Sequence, residues 1–506
     1  MIPESLRVVA GRHPERLAII DGNQRITYGE FFERVEAVRE WLGSELGPQP
    51  GIIGTALDNC WEFAACFFAA STLGCSLMPC NPQWRAAELQ SILERLGLRN
   101  AIIEPRLSAE WNQILDAIPG MRLVTRDRIP ATNTRPSSPS LPSANPAGLD
   151  DPTLYLATSG SLGTPRLVPR SHRNLIAIAE NVVRTLDIGP DWRFLGVIPF
   201  HYSNGFHNSL LVPLLNGATV VMLPQFNPRA CADLVQREQI NTLFGSPFIY
   251  ASLLDGLRDR AALKSLQRCF SAGGRMSSSL KERWQEHFGV PVRQLYGMTE
   301  TGAIAIESSE WAPEPSIGSC VGPPIHGVEV AVCGPDGTKL APGEIGELRV
   351  RSASVMAGYA GESGLDRSVL PDGFFRTGDL GFRDSHGTLH LTGRLGRVMN
   401  IAGVKVDPVE VERAIELLAG VASCHVDAVA DRAGGEVIRA RVVAREGVQL
   451  TRRLIIEHCR QHLADYKFPR VIEFMEGSAI SIAGKISRSG ASGDSPTGMP
   501  SARPTR

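Results

Sequence analysis

The sequence predicts a layered α/β protein that ends in a small α+β module. Three observations lead there. Helical and short apolar strand patterns alternate between residues 60 and 120 and again between 193 and 300, as they do where helices cover a sheet. Between 316 and 392 the strands become short and follow one another. They are separated by the turns Pro335-Asp336-Gly337, Pro371-Asp372-Gly373 and Ser385-His386-Gly387, which mark a β-rich subdomain. From 397 to 488 two helical patterns, VEVERAIELL and RRLIIEHCRQHL, lie among strands. With 506 residues the chain has room for about three domains or subdomains. The expected layout is an N-terminal domain over 1–395, a C-terminal domain over 396–488 and a disordered tail over 489–506. The N-terminal domain would hold two α/β layered subdomains plus the β-rich one.

Each stretch has its local reason. Thr27 precedes the helical run FFERVEAVREWL, and Glu30 three residues on completes a capping-box pattern. Residues 63–78 are the least polar stretch. They are too short for a membrane span and read as a buried helix followed by a strand. Residues 133–151 are rich in proline and serine and read as a surface linker. The tail after 488 has no apolar periodicity. No repeat is visible.

Composition excludes several classes of function. Hydrophobic residues make up 43% and charged residues 21%, ordinary values for a globular protein. A net charge of −1 gives no broad pull towards nucleic acid or anionic lipid. The N-terminus lacks the basic and apolar regions of a signal peptide, so a cytoplasmic protein is expected. Ten cysteines show no C-x-x-C and no zinc spacing, and they read as buried thiols in a reducing compartment.

The densest chemistry lies at 158–166, TSGSLGTPR. Small hydroxyl and glycine residues follow a buried strand (TLYLA), end in a proline and a cation, and precede a helical run from Asn174. A strand, a glycine-rich turn and a helix make a phosphate cradle from backbone N–H groups, hydroxyls and a cation. Neither the P-loop, the dinucleotide fingerprint nor the hydrolase elbow is present.

Through His172 this segment, TSGSLGTPRLVPRSH, resembles the signature T-S-G-S-T-G-x-P-K-x-V-x-x-S-H of the adenylate-forming superfamily: acyl-CoA synthetases, peptide-synthetase adenylation domains and luciferases. Leu162 replaces a hydroxyl residue, and Arg166 replaces lysine. The resemblance runs from about residue 25 to 488 with its motifs in family order, and it is closest to a standalone acid–CoA ligase. It implies a small C-terminal domain that is mobile and rotates between two half-reactions.

The resemblance also assigns roles. Thr158, Ser159, Gly160, Ser161, Gly163 and Arg166 would hold ATP phosphates. In Tyr296-Gly297-Met298-Thr299-Glu300, which resembles Y-G-x-T-E, Tyr296 would stack on adenine, Thr299 would bond the α-phosphate and Glu300 would ligate Mg²⁺. Gly273 and Gly274 stand where the family carries its adenine-side loop. Asp379 in Thr377-Gly378-Asp379 would accept both ribose hydroxyls, with Arg394 nearby. Residues 199–206, PFHYSNGF, resemble P-x-F-H-x-x-G, in which the aromatic or histidine gates the acyl pocket; His201 is the candidate. The acyl pocket would take His201, Tyr202, Phe206, Ser246, Gly297, Met298 and Gly302. Gly484-Lys485-Ile486-Ser487-Arg488 resembles G-K-x-x-R, whose lysine would stabilise charge during adenylation. Gly403 would line the pantetheine channel, and Gly396 stands at the family's hinge.

The reaction implied is acid + ATP + CoA to acyl-CoA + AMP + pyrophosphate, through an acyl-adenylate, with ATP, Mg²⁺ and coenzyme A as cofactors. The partner would be a small-molecule carboxylic acid, with neither nucleic acid nor integral membrane involved. Residues 199–217 contain no acidic residue to pair with an ammonium, so the acid would not be an amino acid. No thiolation domain is seen in the chain. That favours free coenzyme A, with a separate acyl carrier protein as the runner-up acceptor. A non-catalytic nucleotide-binding relative is the rival from another class. Loss of Lys485, Asp379 or Glu300 would favour it, and all three are present.

Overall fold

A computed structural model describes residues 1–475, except 48–49, 83, 85, 116–117, 119, 133–147, 159–164, 308–318, 362–363, 396–398, 402–403, 407, 431–435, 446 and 464. The linker over 133–147, and the tail, therefore lie outside the described residues. Contacts divide the chain into two units, Met1–Val398 and Met399–Arg506.

The first unit contains two eight-stranded sheets and one five-stranded sheet. In one eight-stranded sheet the interior strands run parallel: Val292–Met298, Arg268–Ser271, Thr242–Gly245, Arg193–Gly196, Thr219–Met222 and Leu17–Asp21. Strands such as Thr242–Gly245 and Thr219–Met222 are buried at every position, as parallel strands covered on both faces must be. The sheet ends in antiparallel hairpins, one of them Val292–Met298 with Gly302–Ile306. The other eight-stranded sheet places Pro152–Thr158 beside Arg166–Ser171. The five-stranded sheet is antiparallel and forms the expected β-rich part. Two short strands of that region, Tyr359–Gly361 and Gly364–Asp366, instead join the edge of the second eight-stranded sheet. This difference sets Tyr359 beside the strand that follows the phosphate-type loop.

Local chemistry explains the helices. Thr27 Oγ1 accepts from the Glu30 N–H at 3.2 Å, and Glu30 Oε2 accepts from the Thr27 N–H at 2.8 Å, which closes the capping box. The apolar run forms helix Trp61–Thr72, followed by strand Ser76–Pro79. Phe63, Phe67 and Phe68 on that helix are fully buried, and Phe67 meets Phe206 edge-on with ring centroids 4.8 Å apart. Nine of the ten cysteines are buried and Cys320 is partly so, all as free thiols. Among the described residues no helix is long and apolar enough to cross a membrane.

The second unit has its own core. Helices Pro408–Glu416 and Arg452–His462 pack with a three-stranded sheet built from Val421–Ala430, Glu436–Ala444 and Val471–Met475. Val411, Ile415, Ile438, Ala440 and Ile455 are buried in it.

Candidate active site

The loop expected between a strand and a helix is the turn of a β-hairpin. Thr158 pairs with Arg166 across it. Ser159, Gly160, Ser161 and Gly163 lie outside the described residues. The next helix, His172–Leu186, begins only after the six-residue strand Arg166–Ser171, about 20 Å of extended chain. Its N-terminus is closed by a reciprocal cap between Ser171 and Asn174. The helix end is therefore set apart from the loop by a whole strand. The sequence reading went from the loop straight to the helical run at Asn174 and left out strand Arg166–Ser171, whose mixed residues RLVPRS give no clear alternation of apolar and polar side chains.

A chain of contacts leads from Arg166 to Glu300. The Arg166 guanidinium carbon sits 5.0 Å from the centre of the Tyr359 ring. Tyr359 Oη donates to Glu300 Oε1 at 2.7 Å. Burial, and then the Glu300 charge, push the Tyr359 hydroxyl pKa up, so it stays a donor. Glu300 is buried, and its carbonyl accepts from the Met356 N–H at 2.9 Å. With Oε1 taking one hydrogen bond, Oε2 remains a hard oxygen ligand suited to Mg²⁺.

The turn that carries Thr299 and Glu300 closes the hairpin between Val292–Met298 and Gly302–Ile306. A Cβ on Gly297 would lie 2.5 Å from the Gly302 carbonyl oxygen. Gly302 has φ +76°, and a Cβ there would lie 2.7 Å from Ile178. Hairpin closure thus accounts for both glycines assigned to the acyl pocket. Met298 beside them is partly buried and packs against Val168 and Met356. Thr299 Oγ1 donates to Ser203 Oγ at 3.1 Å, which ties the turn to the 199–206 segment.

On the other side of this hairpin, Tyr296 Oη donates to Asp379 Oδ2 at 2.7 Å. Asp379 stands opposite Arg394 in the five-stranded sheet, with Arg394 Nε 3.5 Å from Oδ1. The Asp379 N–H donates to Thr377 Oγ1 at 2.9 Å, and Gly378 takes φ +72° to make that turn. Burial, then the Asp379 charge, raise the Tyr296 pKa. Tyr296 is itself buried beside Ile304 and Ala305. Gly273, at φ +83°, and Gly274 lie in a loop stapled by Gln294, whose Nε2 donates to the Gly274 carbonyl at 3.0 Å and the Ser271 carbonyl at 3.1 Å.

The acyl-pocket assignments need correction. Phe206 is a core residue, fully buried against Phe63 and Phe67. Ser246 is fully buried and caps helix Pro247–Gly256 by accepting from the Ile249 N–H at 3.4 Å. Counted from Pro199 to Gly205, the histidine of P-x-F-H-x-x-G falls on Tyr202 and its phenylalanine on His201. His201 Nε2 is buried without a hydrogen-bond partner, and burial drives the His201 pKa down to about 3. A neutral, inward imidazole packs as the phenylalanine would. Tyr202 lies 4.2 Å from it, ring centre to ring centre, and its Oη accepts from Asn81 Nδ2 at 3.4 Å.

Lys485, Gly396 and Gly403 lie outside the described residues. Four residues absent from the sequence reading belong to the site: Tyr359, Ser203, Gln294 and Arg170. Arg170 lies inside the 158–172 segment and Ser203 inside 199–206, but neither position carries a role there, and Tyr359 and Gln294 stand outside the motifs.

Comparisons with known proteins identify the family. The family model described as "AMP-binding enzyme" matches residues 6–360, and "AMP-binding enzyme C-terminal domain" matches 410–485. A feruloyl-CoA synthase from an Amycolatopsis species is 31% identical over 94% of this chain and 94% of its own. A sulfoacetate–CoA ligase from Cupriavidus necator is 31% identical over 96% of both. The ATP-bound crystal structure of MatB from Rhodopseudomonas palustris shares the fold, with a TM-score of 0.84, 24% identity, and coverage of 97% of this chain and 98% of that one. The chain belongs to the AMP-binding enzyme family. Its curated relatives are acid–CoA ligases, and with them it is an enzyme of the AMP-forming acyl-CoA synthetase class.

Proposed function

We propose that this protein joins a non-amino carboxylic acid to coenzyme A through an acyl-adenylate. One observation carries the reading: Tyr296 bonds Asp379, while three and four residues further along the same hairpin Thr299 bonds Ser203 and Glu300 bonds Tyr359. A carboxylate suited to a diol and a turn suited to phosphate and metal are therefore both tied to one hairpin. Gly273 and Gly274 leave backbone exposed for the base, and Asp379 with Arg394 takes the ribose. Thr299 meets the α-phosphate. Thr158, Ser159, Gly160, Ser161, Gly163 and Arg166 surround the departing phosphates. Bound Mg²⁺ on Glu300 would offset phosphate charge.

In the first step an acid carboxylate oxygen attacks the α-phosphorus, and the bond to the bridging oxygen breaks as pyrophosphate leaves. Lys485 stabilises the charge that develops on the transferring group. In the second, the thiol sulfur attacks the acyl carbon, AMP leaves with the mixed-anhydride oxygen, and the thiol proton passes to solvent. Gly396 is the pivot between the steps, and Gly403 lets the pantetheine arm pass. Tyr202 takes the gate position at the acyl entrance.

The identity of the acid is approached from the relatives, whose names include ferulate, indoleacetate, sulfoacetate and oxalate. The test is ATP, Mg²⁺ and coenzyme A with a panel of aryl, indolyl, sulfo and short aliphatic acids. Acid-dependent release of AMP and pyrophosphate with matching thioester is expected. ADP formation, or no acid-dependent pyrophosphate with any acid, overturns the reading. Acyl-AMP that coenzyme A leaves untouched but a holo-carrier protein discharges would replace the acceptor.

A further inference from the structure

Arg170 lies one residue before the Ser171 cap and is fully buried. Nη1 donates to the Ser354 carbonyl at 2.7 Å and Nη2 to the Thr299 carbonyl, while Nε has no partner. It makes no ion pair among the described residues. Burial pushes the guanidinium down to about 9, and the charge of Glu300 offsets part of that. A buried cation without a salt bridge is costly, and a packed apolar residue of the same volume often serves stability better. Structural need alone is therefore a poor account of an arginine at this position.

Its two acceptors give a better one. The Thr299 carbonyl belongs to the peptide bond that leads into Glu300. The Ser354 carbonyl belongs to the loop whose Met356 N–H donates to the Glu300 carbonyl. Asn174 Nδ2 anchors the same loop at the carbonyls of Ala353 and Val355, both at 2.9 Å. The carbonyls on either side of the Glu300 N–H are thus both tied down, one by Arg170 and one by the loop that Arg170 also holds. The guanidinium fork spans both segments, and an ammonium could not do so with fixed geometry.

We propose that Arg170 is a positioning residue for Mg–ATP. It fixes the Thr299–Glu300 backbone so that the Thr299 hydroxyl and Glu300 carboxylate face the α-phosphate and Mg²⁺ together, and it holds a permanent positive charge behind them. The proposal rests on the roles given to Thr299 and Glu300 above.

The test is calorimetric titration of the full chain with ATP in Mg²⁺, ATP in EDTA, and AMP, for the parent, Arg170→Met and Arg170→Lys. Folding is checked by circular dichroism and thermal melts. Arg170→Met is expected to keep its fold, weaken Mg–ATP binding by about tenfold or more, and erase most of the advantage Mg²⁺ gives ATP. AMP should weaken less. Arg170→Lys, with the charge but not the fork, should fall between. Arg170→Met that binds Mg–ATP like the parent overturns the proposal, as does an equal loss for all three ligands. If Arg170→Met does not fold, Arg170→Lys decides: a selective loss of Mg–ATP supports the proposal, and parent-like binding overturns it. A parent that does not bind Mg–ATP at all would sink the proposed function rather than this inference.

Discussion

Tyr359 Oη and Glu300 Oε1 share a 2.7 Å hydrogen bond between two different sheets of the first unit. Tyr359 sits on the second strand from the edge of one sheet, and Glu300 on the hairpin turn of the other. The same ring lies under the Arg166 guanidinium. One aromatic side chain therefore connects the cation that closes the phosphate-type loop to the carboxylate suited to Mg²⁺.

Tyr359→Phe should separate these two contacts. The ring under Arg166 remains, while the hydroxyl loses its bond to Glu300 and its own interaction with Arg166. A hydrogen bond to a charged group is worth about 1.5–3 kcal/mol, so KM for Mg–ATP should rise by roughly 10- to 100-fold. The melting temperature should move little, because the Tyr359 side chain is only partly buried. Steady-state kinetics at varied Mg–ATP, read beside a thermal melt, check this. An unchanged KM would show that Tyr359 does not orient the carboxylate.

Tyr296→Phe removes the 2.7 Å bond, and Asp379→Asn leaves it only a neutral acceptor. Each should weaken AMP binding, Asp379→Asn more, by roughly 10- to 100-fold, because it also removes the charge opposite Arg394. The double variant should lose less than the sum of the two, since residues that share a hydrogen bond couple. AMP titration of all four proteins closes the cycle. Strict additivity would mean that the bond is absent when nucleotide binds.

Acid should destabilise the fold through His172 and His207, which are buried, and His201, which is partly buried. His201 is held down to about 3, His172 to about 4, and His207 well below the ordinary 6.5, in each case chiefly by burial. The unfolded chain binds these protons near 6.5, and the folded chain refuses them until far lower pH. Stability is therefore full above about 6.5 and is lost as pH falls towards the folded values. Thermal melts from pH 7.5 to 4.5 should show this slope, and His201→Phe should flatten it. The same shift keeps His201 neutral at every working pH, so it should add no limb to the pH–rate profile. A profile whose limb near 6.5 disappears in His201→Phe would contradict the neutral assignment.

How much was legible depended on whether the chemistry was local. The Thr27–Glu30 capping box and the run 61–79 follow from neighbours a few residues apart, and the structure has both. Tyr296, Thr299 and Glu300 were found because they share one short motif. That Tyr296 would bond Asp379, 83 residues away, was not legible, because a hairpin and a separate sheet bring them together. Tyr359 carries no motif and Arg170 stands at an unassigned position of the 158–172 segment; strand pairing sets the strand of Tyr359 beside Leu167, and Arg170 reaches the Thr299 carbonyl. The 199–206 segment failed differently. Its pattern was matched by residue type, His for His, whereas counting from Pro199 to Gly205 sets Tyr202 at that position.

Lys485→Ala should damage one half-reaction and spare the other. Lys485 stands in Gly484-Lys485-Ile486-Ser487-Arg488, and its assigned role is to stabilise charge while pyrophosphate leaves. Removing one preorganised charge contact of that kind costs on the order of 3–4 kcal/mol, or about 10²–10³ in rate. Acid-dependent exchange of pyrophosphate into ATP should fall by that factor. Thioester formation from supplied acyl-AMP breaks no phosphoanhydride bond, so it needs no help at the α-phosphate and should stay within about threefold of the parent. Arg488→Ala, a cation removed from the same stretch, controls for general loss of charge and should change exchange much less. Measuring both half-reactions on one preparation distinguishes the outcomes. Equal damage to both would mean that Lys485 supports the second unit rather than the transferring phosphoryl group, and the lysine role would have to move to another cation.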